Sequence, residues 1–312
     1  MSEKSWIVSP SPHIKDKITT KKIMFGMVMA LLPPTAAGVY FFGFRALTVI
    51  ASSTTAAVLT EYISSNLMDK EFDMDGSAVV TGLLLALVLP PTTPMWTAAA
   101  GAFVAIALGK FAFGGLGDNI FNPALVGRIF VALSWPGLIS EWVSPFDAVS
   151  TATPLARWGS GVGYANISEL FFGNVGGCIG ETSALAILVG GAFLILMGYI
   201  DWRTPVFYVG SVGAMMWILG ENPLFHMLAG GLMFGAFFMA TDYVTTPMTA
   251  EGKAIFSMGA AIIVVAIRMI GGYPEGVAFS ILIMNGFTPL IDRITKNRVY
   301  GTESKLRRLL EW

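Results

Sequence analysis

Long hydrophobic runs dominate the chain, and short polar stretches punctuate them. Apolar segments lie at about 23–43, 46–66, 77–91, 94–112, 120–139, 183–200, 204–220, 223–241, 254–270 and 275–291. Runs of this length and polarity are solvated by lipid rather than by water. The pattern predicts an all-α polytopic membrane protein of about ten transmembrane helices. Several runs fall short of the roughly 20 residues that a helix needs to cross the hydrocarbon core. In SAVVTGLLLALVLPP (77–91) a proline pair closes the run, and proline cannot continue a regular helix. A short or broken helix persists in a bilayer only where protein or a wet cavity satisfies its loose backbone groups. Such breaks point to a central site, with a merely kinked packing helix as the plainer alternative.

The two halves of the pattern resemble each other. TGLLLALVLPPTTPMWTA (81–98) matches GGLMFGAFFMATDYVTTPMTA (230–250), and the tetrapeptide TTPM starts at Thr92 and again at Thr245. FNPALVGRI (121–129) echoes FTPLIDRI (287–294) in the same way. Five helices per half is an odd number, so the second copy must enter the membrane inverted. Inverted repeats place their site near the midplane, where broken helices of both halves meet.

Charge adds an orientation. Residues 1–22 hold five Lys and residues 292–312 hold six Lys or Arg, together 11 of the 19 basic residues, whereas 140–182 holds only Arg157. By the positive-inside rule both termini face the cytoplasm, which requires an even number of spans. The chain then divides into a cytoplasmic tail (1–22), a first five-helix repeat (23–139), an extracytoplasmic segment (140–182), a second five-helix repeat (183–291) and a second cytoplasmic tail (292–312). The polar N-terminus lacks the apolar core of a signal peptide, so the first span is expected to serve as the targeting signal.

Composition narrows the chemistry. Only 12% of the 312 residues are charged and 54% are hydrophobic. No basic patch with interleaved aromatics suggests nucleic acid. One cysteine (Cys178) and two histidines (His13 and His226) supply too few ligands for an iron–sulfur cluster, and no metal site is expected. Cys178 reads as a small buried residue and His226 as a hydrogen-bonded core residue. Any redox cofactor should therefore be organic. GGLGDNIFNPALVGR (114–128) is glycine-rich but is not followed by GK[ST], so its glycines read as a tight turn rather than a phosphate loop. Acids near the membrane are costly, which singles out Glu61, Asp118, Glu181 and Asp242 as ion-pathway candidates. Helix caps and interfacial positions are the bland alternative for all four.

The segment DAVSTATPLAR (147–157) is the chemically richest. Thr153 before Pro154 reads first as a helix N-cap. Asp147, Ser150, Ala152 and Thr153 also complete the spacing D-x-x-[S/T]-x-A-[S/T], which resembles the recognition sequence of a flavin transferase that esterifies FMN through its phosphate onto the last hydroxyl. A phosphoester needs only a hydroxyl, which suits a chain nearly without Cys and His. The segment should be small, exposed and extracytoplasmic, where the transferase works. Arg157 is a candidate partner for the phosphate by proximity and charge.

With SPHIKDKITTKKIM (11–24), GDNIFNPALVGR (117–128), DAVSTATPLA (147–156), GGCIGETSALAILVGG (176–191), TDYVTTPMTAEGKAIF (241–256) and YPEGVAFSILIMNGFTPLID (273–292), the chain resembles a known family nearly end to end. That family comprises the D subunit of the Rnf complex, an ion-translocating ferredoxin:NAD⁺ oxidoreductase, and the B subunit of the Na⁺-translocating NADH:quinone oxidoreductase. The longer N-terminal region of the quinone-reducing relatives is missing, so the Rnf branch fits better. The resemblance implies a fold similar to urea-channel-like inverted repeats, a cytoplasmic (inner) membrane location in a prokaryote, and FMN held covalently on Thr153. It also implies a non-covalent riboflavin, whose contacts no motif fixes. The implied partners are a second flavoprotein, iron–sulfur subunits, an NAD-binding subunit and the flavin transferase. The family usually has Gly where this chain has Thr151, which places a second hydroxyl two residues from the first. The function implied is an electron-transfer subunit of a redox-driven Na⁺ or H⁺ pump. A passive solute channel and a non-redox scaffold subunit are the rivals, and detection of covalent flavin separates them.

Overall fold

The computed structural model describes residues 19–69, 74–147, 149–270 and 276–296. Most of both charged tails, 1–18 and 297–312, lies outside the described residues. The helices in chain order are α1 (Thr20–Phe42), α2 (Phe44–Leu67), α3 (Ser77–Leu87), α4 (Met95–Ala107), α5 (Pro123–Ser134), α6 (Pro154–Gly159), α7 (Ile167–Phe172), α8 (Ala184–Leu196), α9 (Arg203–Ile218), α10 (Pro223–Leu228), α11 (Leu232–Phe234), α12 (Ala250–Ile270) and α13 (Val277–Thr295). Among the described residues no β-strand forms, and only an isolated bridge pairs Val143 with Ser150. Five helical stretches among the described residues are long and apolar enough to cross a membrane: Thr20–Phe42, Phe44–Leu67, Met95–Phe113, Ala250–Ile270 and Val277–Thr295. Helices α3, α5 and α8 are apolar but shorter.

Each predicted run contains helix, and one departs from expectation. The run at 223–241 is not continuous. Asn222 caps α10 by accepting from the Phe225 N–H at 3.2 Å, and the chain leaves the helix at Ala229. Gly230 adopts φ +68°, a left-handed conformation that glycine takes without a steric penalty. The helix resumes at α11 and passes into a π-helical turn, Gly235–Met239.

Helix α1 shows the converse. It runs straight through Pro33 and Pro34. Pro34 has no N–H to offer the carbonyl of Ala30, and α8 approaches at that carbonyl. A Cβ on Gly190 would stand 2.1 Å from the Ala30 oxygen, so only glycine fits. Close approach through small residues is the usual basis of helix association in lipid. The α4–α5 contact uses it again, since a Cβ on Gly127 would lie 2.5 Å from the Gly101 carbonyl oxygen.

Helix α3 is central, with every residue but Val79 buried. At 11 residues it rises only about 16 Å, and it stops before the Pro90–Pro91 pair. Helix α2 packs on α3 and α4, and α4 packs on α5. In the second half α9 packs on α12, and α12 on α13. Across the halves α1 meets α8 and α5 meets α13.

The helices define two ends. At one, Thr249 Oγ1 donates to Thr295 Oγ1 at 2.6 Å, the Met248 N–H donates to Asp292 at 3.0 Å, and Gly26 of α1 abuts Tyr199. Here α1 begins and α13 ends. At the other, the Phe146 N–H donates to the Phe41 carbonyl at 3.0 Å, and Thr92 Oγ1 donates to the Glu141 carbonyl at 2.6 Å. The first TTPM (92–95) therefore lies at the end away from the start of α1, and the second (245–248) lies at the end near it. FNPALVGRI and FTPLIDRI do not form an equivalent pair. Pro123 opens α5, whereas Pro289 lies inside α13.

A candidate cofactor cavity beside Thr153

A cavity of about 450 Å³ opens between the halves at the end remote from the start of α1. One face of α5 forms a wall. Leu125, Arg128, Ile129, Ala132 and Leu133 line it, and this i, i+3, i+4, i+7, i+8 spacing is one stripe of a helix. The opposite face, with Gly127 and Val131, packs on α4. Gly231, Gly235 and Met239 of the broken element form a second wall, and Val277 to Phe279 a third.

Thr153 borders this cavity. It is the N-cap of α6, as its place before Pro154 predicts, and its Oγ1 accepts the Ala156 N–H at 3.2 Å. The residues before it form a small hairpin. The Ser144 N–H donates to the Val149 carbonyl at 2.8 Å and the Thr151 N–H to the Trp142 carbonyl at 2.9 Å. Asp147, Ser150 and Ala152 are exposed. Thr153 departs from the expected exposure, being 6% accessible at the edge of the cavity. Phe146, just before Asp147, has φ +65°, a conformation that bulky residues rarely adopt. Its ring packs edge-on against Tyr40 and Phe41.

Of the four acids expected in an ion pathway, only Glu181 reaches this cavity. It lines it with Thr153, and Gly231 admits it, because a Cβ there would lie 2.4 Å from Oε1. Arg157 is exposed, in the last turn of α6, and is not among the residues lining the cavity. Asp118 is exposed in a turn where Gly114, Gly115 and Gly117 all take positive φ, in line with the turn reading of that stretch.

Glu61 and Asp242 lie toward the end where α1 begins. Glu61 is buried and paired with Lys110, whose ammonium also donates to Ser77 Oγ at 2.6 Å. Asp242 accepts from Thr245 Oγ1 at 3.1 Å. It lines a second cavity of about 100 Å³ together with Lys110, Asn119, Asn122 and Thr241. Helix α5 and the π-helical turn border both cavities. Leu125 and Met239 face the larger one, while Ala124 and Phe238 face the smaller. Asn122 ties these two elements together, its Nδ2 donating to the Met239 carbonyl at 3.4 Å.

Below α6 lies its support. Leu155 packs against Gly230, and Trp158 stands edge-on to His226 with ring centroids 4.6 Å apart. His226 is fully buried, but neither ring nitrogen hydrogen-bonds to a described residue, so the expected hydrogen-bonded core histidine is instead held by aromatic packing. Glu221 accepts from Trp158 Nε1 at 3.1 Å and from the Tyr164 hydroxyl.

The polar residues that sequence inspection passed over are basic. Lys110, Arg128 and Arg268 sit inside apolar runs, where a cation is as demanding as an acid. That signal was present and would have found all three.

The larger cavity suits a flavin by volume, falling within the range of small-molecule sites. It combines largely apolar walls with the Thr153 hydroxyl, the Arg128 cation and the Glu181 carboxylate. The sequence profile of the NQR2, RnfD, RnfE family matches residues 7–301. The chain is 46% identical to the D subunit of the Na⁺-translocating ferredoxin:NAD⁺ oxidoreductase complex of Acetobacterium woodii, over 96% of this chain and 97% of the relative. It is 45% identical to the D subunit of the proton-translocating ferredoxin:NAD⁺ oxidoreductase complex of Clostridium ljungdahlii, over 95% and 96%. The D subunit of the ion-translocating oxidoreductase complex of Methanosarcina acetivorans shares 35% identity, over 95% and 98%. This chain belongs to the NQR2, RnfD, RnfE family.

Proposed function

We propose that the chain is the D subunit of an ion-translocating ferredoxin:NAD⁺ oxidoreductase, and that it carries FMN as a phosphoester on Thr153. The observation that carries this reading is the place of the Thr153 hydroxyl. It completes the Asp147–Thr153 motif and borders a cavity large enough for a flavin ring. Bound there, FMN supplies reversible electron transfer between the partner redox subunits. The chain's own residues hold and orient it. Thr153 is the tether and α6 the mount, while the apolar residues of the α5 stripe, Leu125, Ile129, Ala132 and Leu133, flank the ring.

Ten crossings in two inverted halves account for the helix order. The TTPM elements at opposite ends support that reading, as do the matching α2–α4 and α9–α12 contacts. With the basic tails in the cytoplasm, Thr153 faces the extracytoplasmic side of a prokaryotic inner membrane. Coupling to a cation follows from charge. An electron added in a low-dielectric cavity favours cation uptake nearby, and binding energies at the two sites are reciprocal. We assign that uptake to Glu61, Glu181 and Asp242, for Na⁺ or H⁺ alike.

The test is direct. Co-expressed with a flavin transferase, the chain should run as a fluorescent band on a denaturing gel, and peptide mass mapping should place FMN on 153–157. Thr153→Val should abolish the band, whereas Thr151→Val should keep it. An unmodified wild-type mass sinks the reading.

A further inference from the structure

We propose that Arg128 and Glu181 form an opposed charge pair that sets the reduction potential of a redox group in the cavity beside Thr153. Arg128 favours the reduced form and Glu181 disfavours it. This rests on the flavin assignment above. Among the described residues lining the cavity, these two are the ionisable ones. They approach it from different elements. Arg128 comes from the middle of the α5 stripe, and Glu181 from the loop before α8, where it lies against Gly231.

The remaining lining is mostly apolar, with Leu125, Ile129, Met239 and Phe279 among it. Both side chains are half-buried, and charges so placed are screened less, and act more strongly, than on a fully wet surface. Adding one electron to a neutral ring places one negative charge in the cavity unless a proton follows from solvent. A guanidinium in the wall lowers the free energy of that charged form, and a carboxylate raises it. Arg157, the cation nearest Thr153 in sequence, is exposed to water and has little leverage by the same argument.

The experiment uses the full-length chain, flavinylated by a co-expressed transferase and purified in detergent. Its midpoint potential is read by optical titration with mediators against an electrode, and covalent loading is read as in-gel fluorescence. Arg128→Gln should lower the potential, and Glu181→Gln should raise it, both at wild-type loading. A loss of cavity shape would move both variants the same way, so opposite shifts mark electrostatics. Shifts of like sign, or none at full loading, overturn the proposal. If Arg128→Gln does not load, Arg128→Lys decides. A near-wild-type potential there with a raised potential in Glu181→Gln supports the pair, and any other combination overturns it. Absence of covalent flavin from the wild-type chain is a separate result, which removes the underlying assignment instead.

Discussion

Arg268 of α12 donates through Nη1 to the carbonyl oxygen of His226 at 2.6 Å, and through Nη2 to that of Ala229 at 3.0 Å. These are carbonyls left without helical partners where α10 breaks off. A planar fork with fixed donors matches two neighbouring carbonyls, and a cation at a helix C-terminus complements its dipole. The break in the eighth run is thus stabilised from a different helix, and α6 with Thr153 rests on the result through Leu155 and Trp158.

Arg268→Met should therefore weaken the fold. It strands two buried carbonyls, each worth about 1–3 kcal/mol when unsatisfied. The melting temperature in detergent, followed by tryptophan fluorescence, should fall sharply. Arg268→Lys should recover only part, because one ammonium replaces the fork.

The pair of Lys110 and Glu61 calls for a double-mutant cycle. Either Lys110→Met or Glu61→Gln leaves an uncompensated buried charge, at roughly 3–5 kcal/mol. The double variant should regain most of the loss in the same thermal assay. If the double variant loses the sum of the two singles, the ion pair is not what holds α2 to the end of α4.

Two glycines make a paired control. Gly190→Ala forces a Cβ to 2.1 Å from the Ala30 carbonyl oxygen and should destabilise the α1–α8 contact by about 1–3 kcal/mol. Gly210, in α9, has open space around its missing Cβ. Gly210→Ala should be neutral, or stabilising by up to ~1 kcal/mol. Thermal unfolding of the two variants side by side reads the difference.

Acid stability should depend on Asp201, in the turn between α8 and α9. Partial burial pushes its carboxyl up, but the Arg203 N–H at 3.0 Å and the Lys253 ammonium at 3.1 Å outweigh that and hold it below the usual range. A depressed folded value means that the carboxylate stabilises the fold above the ordinary Asp range. The contribution fades as pH falls through the lower, folded value. Asp201→Asn should flatten the loss of stability below about pH 4, and a pH series of melting temperatures would show it.

Much of the architecture is legible in the chain because lipid imposes one simple requirement. A segment that meets hydrocarbon must be apolar and must bond its own backbone, so the runs announce themselves. Thr153 was legible for a related reason, since a cap before proline and a transferase motif are both local patterns. Glu181 and Arg128 stand out locally as charges in or beside apolar runs, but nothing local reveals that α5 and the loop before α8 face one cavity. The exposed position of Arg157 was equally hidden. Proximity in sequence to Thr153 suggested a partner, but the turn of α6 carries its side chain into water.

The helical runs, the asymmetry of charge between tails and middle, and the hydroxyl motif can all be read along the chain, because none of them needs a contact between distant segments. It took the folded arrangement to reveal that the eighth run breaks and is capped by Arg268, and that Thr153 is buried at the edge of a cavity. The same arrangement brings Lys110 together with Asp242 and Arg128 together with Glu181 along the two cavities. A buried charge is compensated by whichever partner the packing brings near, and in lipid that packing is settled by the fit of small residues such as Gly190 and Gly127 between separate helices.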